Sequence, residues 1–147
     1  MNPYAKTTKA YKQAAVNTDD QGTLILMLYD GAIRFCKTAQ HRMTLNDLEG
    51  EHNNLVRSKD IVAELLASLN VEAAGELGKN LKELYTFVFN KLIDANVKKD
   101  MKIVQEALLI LEEMREGWRH VVNQNKKQPP AAHLDPRAAV KTVNLKG

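Results

Sequence analysis

Apolar positions recur along this chain at spacings of three and four from residue 24 to residue 122, the period that puts them on one face of an α-helix. The first such stretch carries Ile25, Leu28, Tyr29, Ala32, Phe35, Cys36 and Ala39 on one stripe. Leu24, Leu26 and Met27 fall off that stripe, and residues 24–29 are all apolar or aromatic. A surface helix normally shows one apolar stripe and a polar back. This one is apolar nearly all round for its first two turns, so something besides neighbouring helices is expected to cover it. The pattern predicts a helix from about Asp20 to Met43 or Thr44. Within it, Gly31 is expected to let another backbone approach, and Asp30 to face solvent or cap a neighbouring element.

Three more helices follow. The second is predicted over about 51–69, with Leu55, Val56, Val62, Leu66 and Leu69 on its stripe and Ile61 and Leu65 widening it sideways. The third spans about 74–97, with Leu77, Leu81, Leu84, Tyr85, Val88, Leu92 and Ala95 in a narrow row. Phe87 and Ile93 lie well off that row, and Phe89 lies at its edge. The fourth spans about 101–123, with Val104, Ala107, Leu108, Leu111, Trp118 and Val122 as its core stripe and Ile103, Ile110, Met114 and Val121 as a second row. Residues 46–50, 70–75 and 96–100 read as short connections, with Asp100 as a cap. Four helices joined this way predict an all-α fold, an antiparallel up-down four-helix bundle over 19–123. Trp118 is expected to close one end of it.

The flanks read differently. Residues 1–18 hold Tyr4, Tyr11 and Val16 among small and basic residues and are expected to form an N-terminal docking arm that covers the over-apolar first helix. Residues 124–147 contain three of the four prolines and are expected to be a disordered basic C-terminal tail. Charge follows the same division. The arm carries +3 and the tail +4, which leaves the body acidic at −4 although the whole chain is +3. A nucleic-acid-binding domain usually presents its basic face on the folded part, so no nucleic-acid partner is expected.

With 44% hydrophobic and 27% charged residues, the 147-residue chain has the composition of one ordinary globular domain. The polar start at residues 1–6 shows no signal peptide, and the longest apolar run falls far short of the roughly 20 residues that span a bilayer. A cytoplasmic protein is expected. The single cysteine, Cys36, lies in an apolar stripe and reads as a small buried hydrophobe rather than a reactive thiol.

Chemistry is hard to find. A di-iron bundle needs two Glu-x-x-His pairs on facing helices; this chain has one such spacing, Glu49 with His52, at a turn. Glu116 and His120 share a helix face and read as a solvated pair, while His41 and His133 have no partners at ligand spacing. No phosphate-cradling glycine loop and no nucleophile–base pair stands out. No cofactor, metal, small-molecule substrate or enzymatic activity is expected. What remains is apolar surface beyond what one bundle needs, and such surface marks a partner site.

Asn2, Pro3 and Tyr4, then Tyr11, then Val16, Asn17 and Thr18, and above all the run from Leu24 through Met27, Leu28, Tyr29, Asp30, Gly31 and Ala32 to Ile33 resemble the FliS family of flagellar export chaperones. Further matches follow at 63–69, 81–85, 92–96 and Trp118, so the resemblance covers about 2–122. It departs where Asp19, Asp20 and Gln21 replace the small residue, Ser and Pro common in the family, and in the longer basic tail, to which no role is transferred. The resemblance implies a cytoplasmic bundle that holds the C-terminal segment of flagellin, prevents its polymerisation and passes it transiently to the export gate at the membrane. It also implies an arm that caps apolar surface and yields to the client.

From helical angles, the expected client-binding residues are Ile61 and Leu65 on the second helix, Tyr85, Phe87, Phe89 and Ile93 on the third, and Ile103, Ile110 and Met114 on the fourth. Tyr4, Tyr11 and Val16 of the arm are expected to cap a platform of Leu24, Met27 and Leu28. A self-associating scaffold or signalling bundle is the alternative use of the same apolar excess.

Overall fold

The computed structural model describes residues 21–124, which form four α-helices: α1 (Gln21–Thr44), α2 (Leu48–Ala67), α3 (Val71–Lys98) and α4 (Met101–Gln124). The expectations for the arm and its Tyr4, Tyr11 and Val16 and for the tail from 125 onward lie outside the described residues. All four predicted helices are present, and the ends that differ do so for local reasons. Residues 46–50 were expected as a connection, yet α2 begins at Leu48 because Asp47 serves both helices. Its N–H bonds back to the Arg42 carbonyl at 3.0 Å, and the Asn46 N–H reaches that of Met43 at 3.1 Å. Asn46 takes the left-handed φ of 55° that this helix-ending turn requires, a conformation asparagine tolerates. The Asp47 carboxylate then accepts the Gly50 N–H at 2.9 Å as the N-cap of α2.

The α3–α4 turn is built alike. Lys99 has φ 53°, the Asp100 N–H bonds to the Ala95 carbonyl at 3.2 Å, and the Asp100 carboxylate accepts the Lys102 N–H at 2.9 Å as the expected cap of α4. The two turns sit at the same end of the bundle and are tied together. Glu51, nearly fully buried, has Oε1 3.0 Å from Lys99 Nζ, an ion pair whose angles fall short of a hydrogen bond. His52 and Asn96 meet beside it at 2.8 Å. At the other end the expected connection 70–75 is mostly one helical turn, and α3 kinks at Gly75, where φ 64° and ψ −136° are open to glycine alone.

Side-chain pairs fix the directions. Along α1, Gly22, Asp30, Lys37 and Gln40 pair in turn with Trp118, Arg115, Glu112 and Gln105 of α4, so these helices run antiparallel. Ala32 meets Ser58 of α2; His52 and Lys59 of α2 meet Asn96 and Phe89 of α3, and Glu51 of α2 meets Lys99 just past the end of α3. The order is up-down-up-down, each helix packing on its chain neighbours and α4 closing against α1. Trp118 is half-buried at the closing end, with its indole N–H donating to the Gly22 carbonyl at 3.0 Å.

The core is drawn from all four stripes, with Ile25, Leu55, Val62, Leu65, Tyr85, Val88, Leu92, Val104 and Leu111 all but fully buried. Two polar links cross it. The Tyr29 and Tyr85 hydroxyls meet at 2.7 Å across the diagonal, and burial raises the pKa of both well above the usual phenol range. Ser58 donates to the Ala32 carbonyl at 2.8 Å, which leaves the Cys36 thiol to donate to Ser58 Oγ at 3.2 Å. Gly31 is buried, but what it admits is a side chain rather than a backbone: a Cβ there would lie 3.0 Å from Ile61 Cδ1.

Two outcomes follow from these links. Asp47→Ala should lower stability by about 1 kcal/mol in urea denaturation, because the α2 cap goes. Burial pushes the Cys36 thiol up to about 11, the Ser58 hydrogen bond pulling weakly the other way. Iodoacetamide at pH 8 should therefore label the urea-unfolded chain readily and the folded chain hardly at all. Because the folded pKa is the higher one, this thiol's contribution to stability is intact below its ordinary value of 9.0 and is lost as pH rises toward about 11.

Candidate partner-binding surface

Phe87 and Phe89 stand two residues apart on α3, so they point about 200° apart round the helix. Helical angle alone therefore sends them to different neighbours, and the contacts say which. Lys91 lies over the Phe87 ring at 5.3 Å and reaches Glu106 of α4 at 3.2 Å, so Phe87 belongs to the α3–α4 side. Lys59 of α2 lies over the Phe89 ring at 5.8 Å, so Phe89 belongs to the α2–α3 side. Ile93, four residues on, shares the Phe89 side. Leu84, three residues before Phe87, shares the other. The aromatic and aliphatic side chains of α3 expected to bind a client thus form two shoulders.

Exposure sorts the expected residues further. Phe87 is 48% exposed and Ile93 40%; Phe89, Ile110 and Met114 are half-buried and pack against the core. Ile61, Leu65 and Tyr85 are buried, and Ile103 is nearly so. These four, expected to touch a client, are buried in the core of the free bundle. The reason is plain for Ile61 and Leu65: the centre of the α2 core face lies at Val62, and Gly31 makes room on α1 for Ile61. On the expected platform, Leu24 and Leu28 are buried while Met27 is 37% exposed on the outside of α1.

Some exposed apolar side chains were not anticipated. Leu84 was placed in the core row, yet it is 41% exposed at the edge of α3. Leu45, Leu48, Val97 and Met101 crown the end where the two capped turns meet, and Val97 is 77% exposed. They sit in turns or at helix ends, where a search for periodic stripes does not look. Leu109 stands exposed on the outer face of α4.

The ionic groups pair between and along the helices. Asp30 pairs with Arg115 across α1 and α4, and Lys37 pairs with Glu112. Glu116 is held below the usual carboxylate range by the Arg119 guanidinium that hydrogen-bonds it. Among the described residues no three His, Cys, Asp or Glu side chains gather as a metal site, and no helix is long and apolar enough to cross a membrane.

The family model described as Flagellar protein FliS matches residues 4–125. The flagellar secretion chaperone FliS of Bacillus subtilis is 31% identical over 127 residues, covering 86% of this chain and 91% of that protein. The flagellar secretion chaperone FliS of Escherichia coli is 31% identical over 120 residues, covering 78% and 88% respectively. That of Campylobacter jejuni is 32% identical over 114 residues, covering 78% and 89%.

If the shoulders of α3 are surface, charge should be tolerated there and not in the core. Phe87→Asp and Ile93→Asp should each change unfolding free energy by less than about 1 kcal/mol, as surface substitutions do. Leu65→Asp should abolish the cooperative urea transition.

Proposed function

The chain belongs to the FliS family of flagellar secretion chaperones, and from that premise we propose that it binds the C-terminal segment of flagellin in the cytoplasm. Bound, the segment is kept from premature polymerisation; the complex then meets the flagellar export apparatus at the membrane, where the client is released. The protein acts by binding alone, without catalysis, cofactor or nucleic acid.

The observation that carries this reading is the surplus of exposed apolar side chains on both shoulders of α3, beyond those the bundle uses for its own core. A disordered client loses conformational entropy when it binds, a cost on the order of 2–5 kcal/mol or more for coupled folding. Offsetting that cost takes many apolar contacts along an extended surface, which a pair of shoulders on a long helix supplies. Leu84, Phe87 and Ile93, with the half-buried Phe89, Ile110 and Met114, are the residues proposed to touch the client. The arm at 1–18, with Tyr4, Tyr11 and Val16, is proposed to cover apolar surface near Met27 until the client displaces it.

Co-purification with the C-terminal segment of the same organism's flagellin tests this. Light scattering should show a one-to-one complex formed from monomer. Phe87→Asp and Ile93→Asp should weaken it at least tenfold without changing the circular dichroism, and deleting residues 1–18 should tighten it. A stable dimer indifferent to flagellin would instead support a self-associating scaffold.

A further inference from the structure

Each of the three phenylalanines carries a cationic side chain over its ring. Arg34 and Arg57 flank Phe35 at 5.1 and 5.8 Å, Lys91 covers Phe87 at 5.3 Å, and Lys59 covers Phe89 at 5.8 Å. The two lysines on the shoulders of α3 are not equivalent. Lys91 is 23% exposed, and its charge is met by Glu106 at 3.2 Å. Lys59 is 29% exposed, and Asp60, its neighbour in the chain, is 3.8 Å away, at the long limit of an ion pair. Lys82 stands exposed seven residues before Phe89, two helical turns along the same line of α3. The α3–α4 shoulder thus holds its lysine in a close ion pair, while the α2–α3 shoulder sets an aromatic ring and Ile93 beside the exposed Lys82 and a Lys59 that is paired only at the long limit.

We propose that Lys59 and Lys82 are specificity-determining residues of the α2–α3 shoulder, selecting an amphipathic client helix whose apolar stripe is bordered by carboxylates. In the free protein the Lys59 stem and ammonium cover the Phe89 ring. On docking, the client's apolar stripe takes that place and a client carboxylate receives the displaced ammonium, a second carboxylate about 10 Å along the helix meeting Lys82. Water leaves the site as the helix docks, and the new ion pair replaces the cation–π contact and the long pairing with Asp60. This inference rests on the chaperone reading above and says which feature of the client that surface recognises.

The test measures binding of the full chain to the C-terminal flagellin segment by titration calorimetry at several salt concentrations. Lys59→Met and Lys82→Met keep the apolar stems and remove the charges. Each should weaken binding about threefold or more and flatten its salt dependence, and Lys59→Glu should weaken it about tenfold or more. Phe89→Asp is the control for use of the shoulder, with circular dichroism confirming the fold of every variant. If Phe89→Asp loses binding while both methionine variants match the parent in affinity and salt dependence, the charge selection is overturned and the chaperone reading stands. Tighter binding by Lys59→Met overturns it too, since the lysine would then be a cover and nothing more. If folded Phe89→Asp binds as the parent does, the client does not use this shoulder, and the inference falls with that part of the reading.

Discussion

A helix that gives one face to a four-helix core has two shoulders left, and at about 100° per residue it cannot hide side chains placed on both of them. This constraint governs α3. Its core face is spent on Tyr85, Val88, Leu92 and Ala95, all buried. Phe87 and Phe89 then fall on opposite shoulders, against α4 and α2 respectively. No rotation of the helix could bury both rings. The shoulders exist because the bundle is held in register from both ends, by the capped turns around Asp47 and Asp100 and by Trp118 bonded to Gly22.

The core that holds this register is not purely apolar. The Tyr29–Tyr85 link and the chain of Cys36, Ser58 and the Ala32 carbonyl cross it at buried points. A hydroxyl left without a partner there would cost about 1–3 kcal/mol, so each link also disfavours sliding of one helix along another. Such a core lets a surface rich in exposed apolar groups persist without the bundle collapsing on itself. Lysine stems laid over the phenylalanines reduce the apolar area that water meets while leaving it open to a partner able to displace them.

The helices and most of the core were legible in the sequence because long apolar stripes at a period of 3.6 admit few other readings. What was not legible depended on neighbours. The start of α2 was placed three residues late because Asn46 and Asp47 look like a linker. In the structure Asp47 ends one helix and begins the next. The connection at 70–75 hid a kinked turn for a similar reason, since Gly75 stops the stripe but not the helix. Ile61 and Leu65 read as the side of the α2 stripe; the space beside Gly31 that receives Ile61 belongs to another helix. The offset of Phe87 and Ile93 from the α3 stripe could be read from angles. Which neighbour each one faces could not, because that depends on how the four helices are arranged in space.

On the chaperone reading, the shoulders of α3 receive a client. Methyl and aromatic NMR of the full chain titrated with the C-terminal segment of its flagellin tests it most directly. The largest shifts should fall on Leu84, Phe87, Phe89, Ile93 and Ile110. Shifts confined to the crown of Leu45, Leu48, Val97 and Met101, or none at saturating segment, would contradict it.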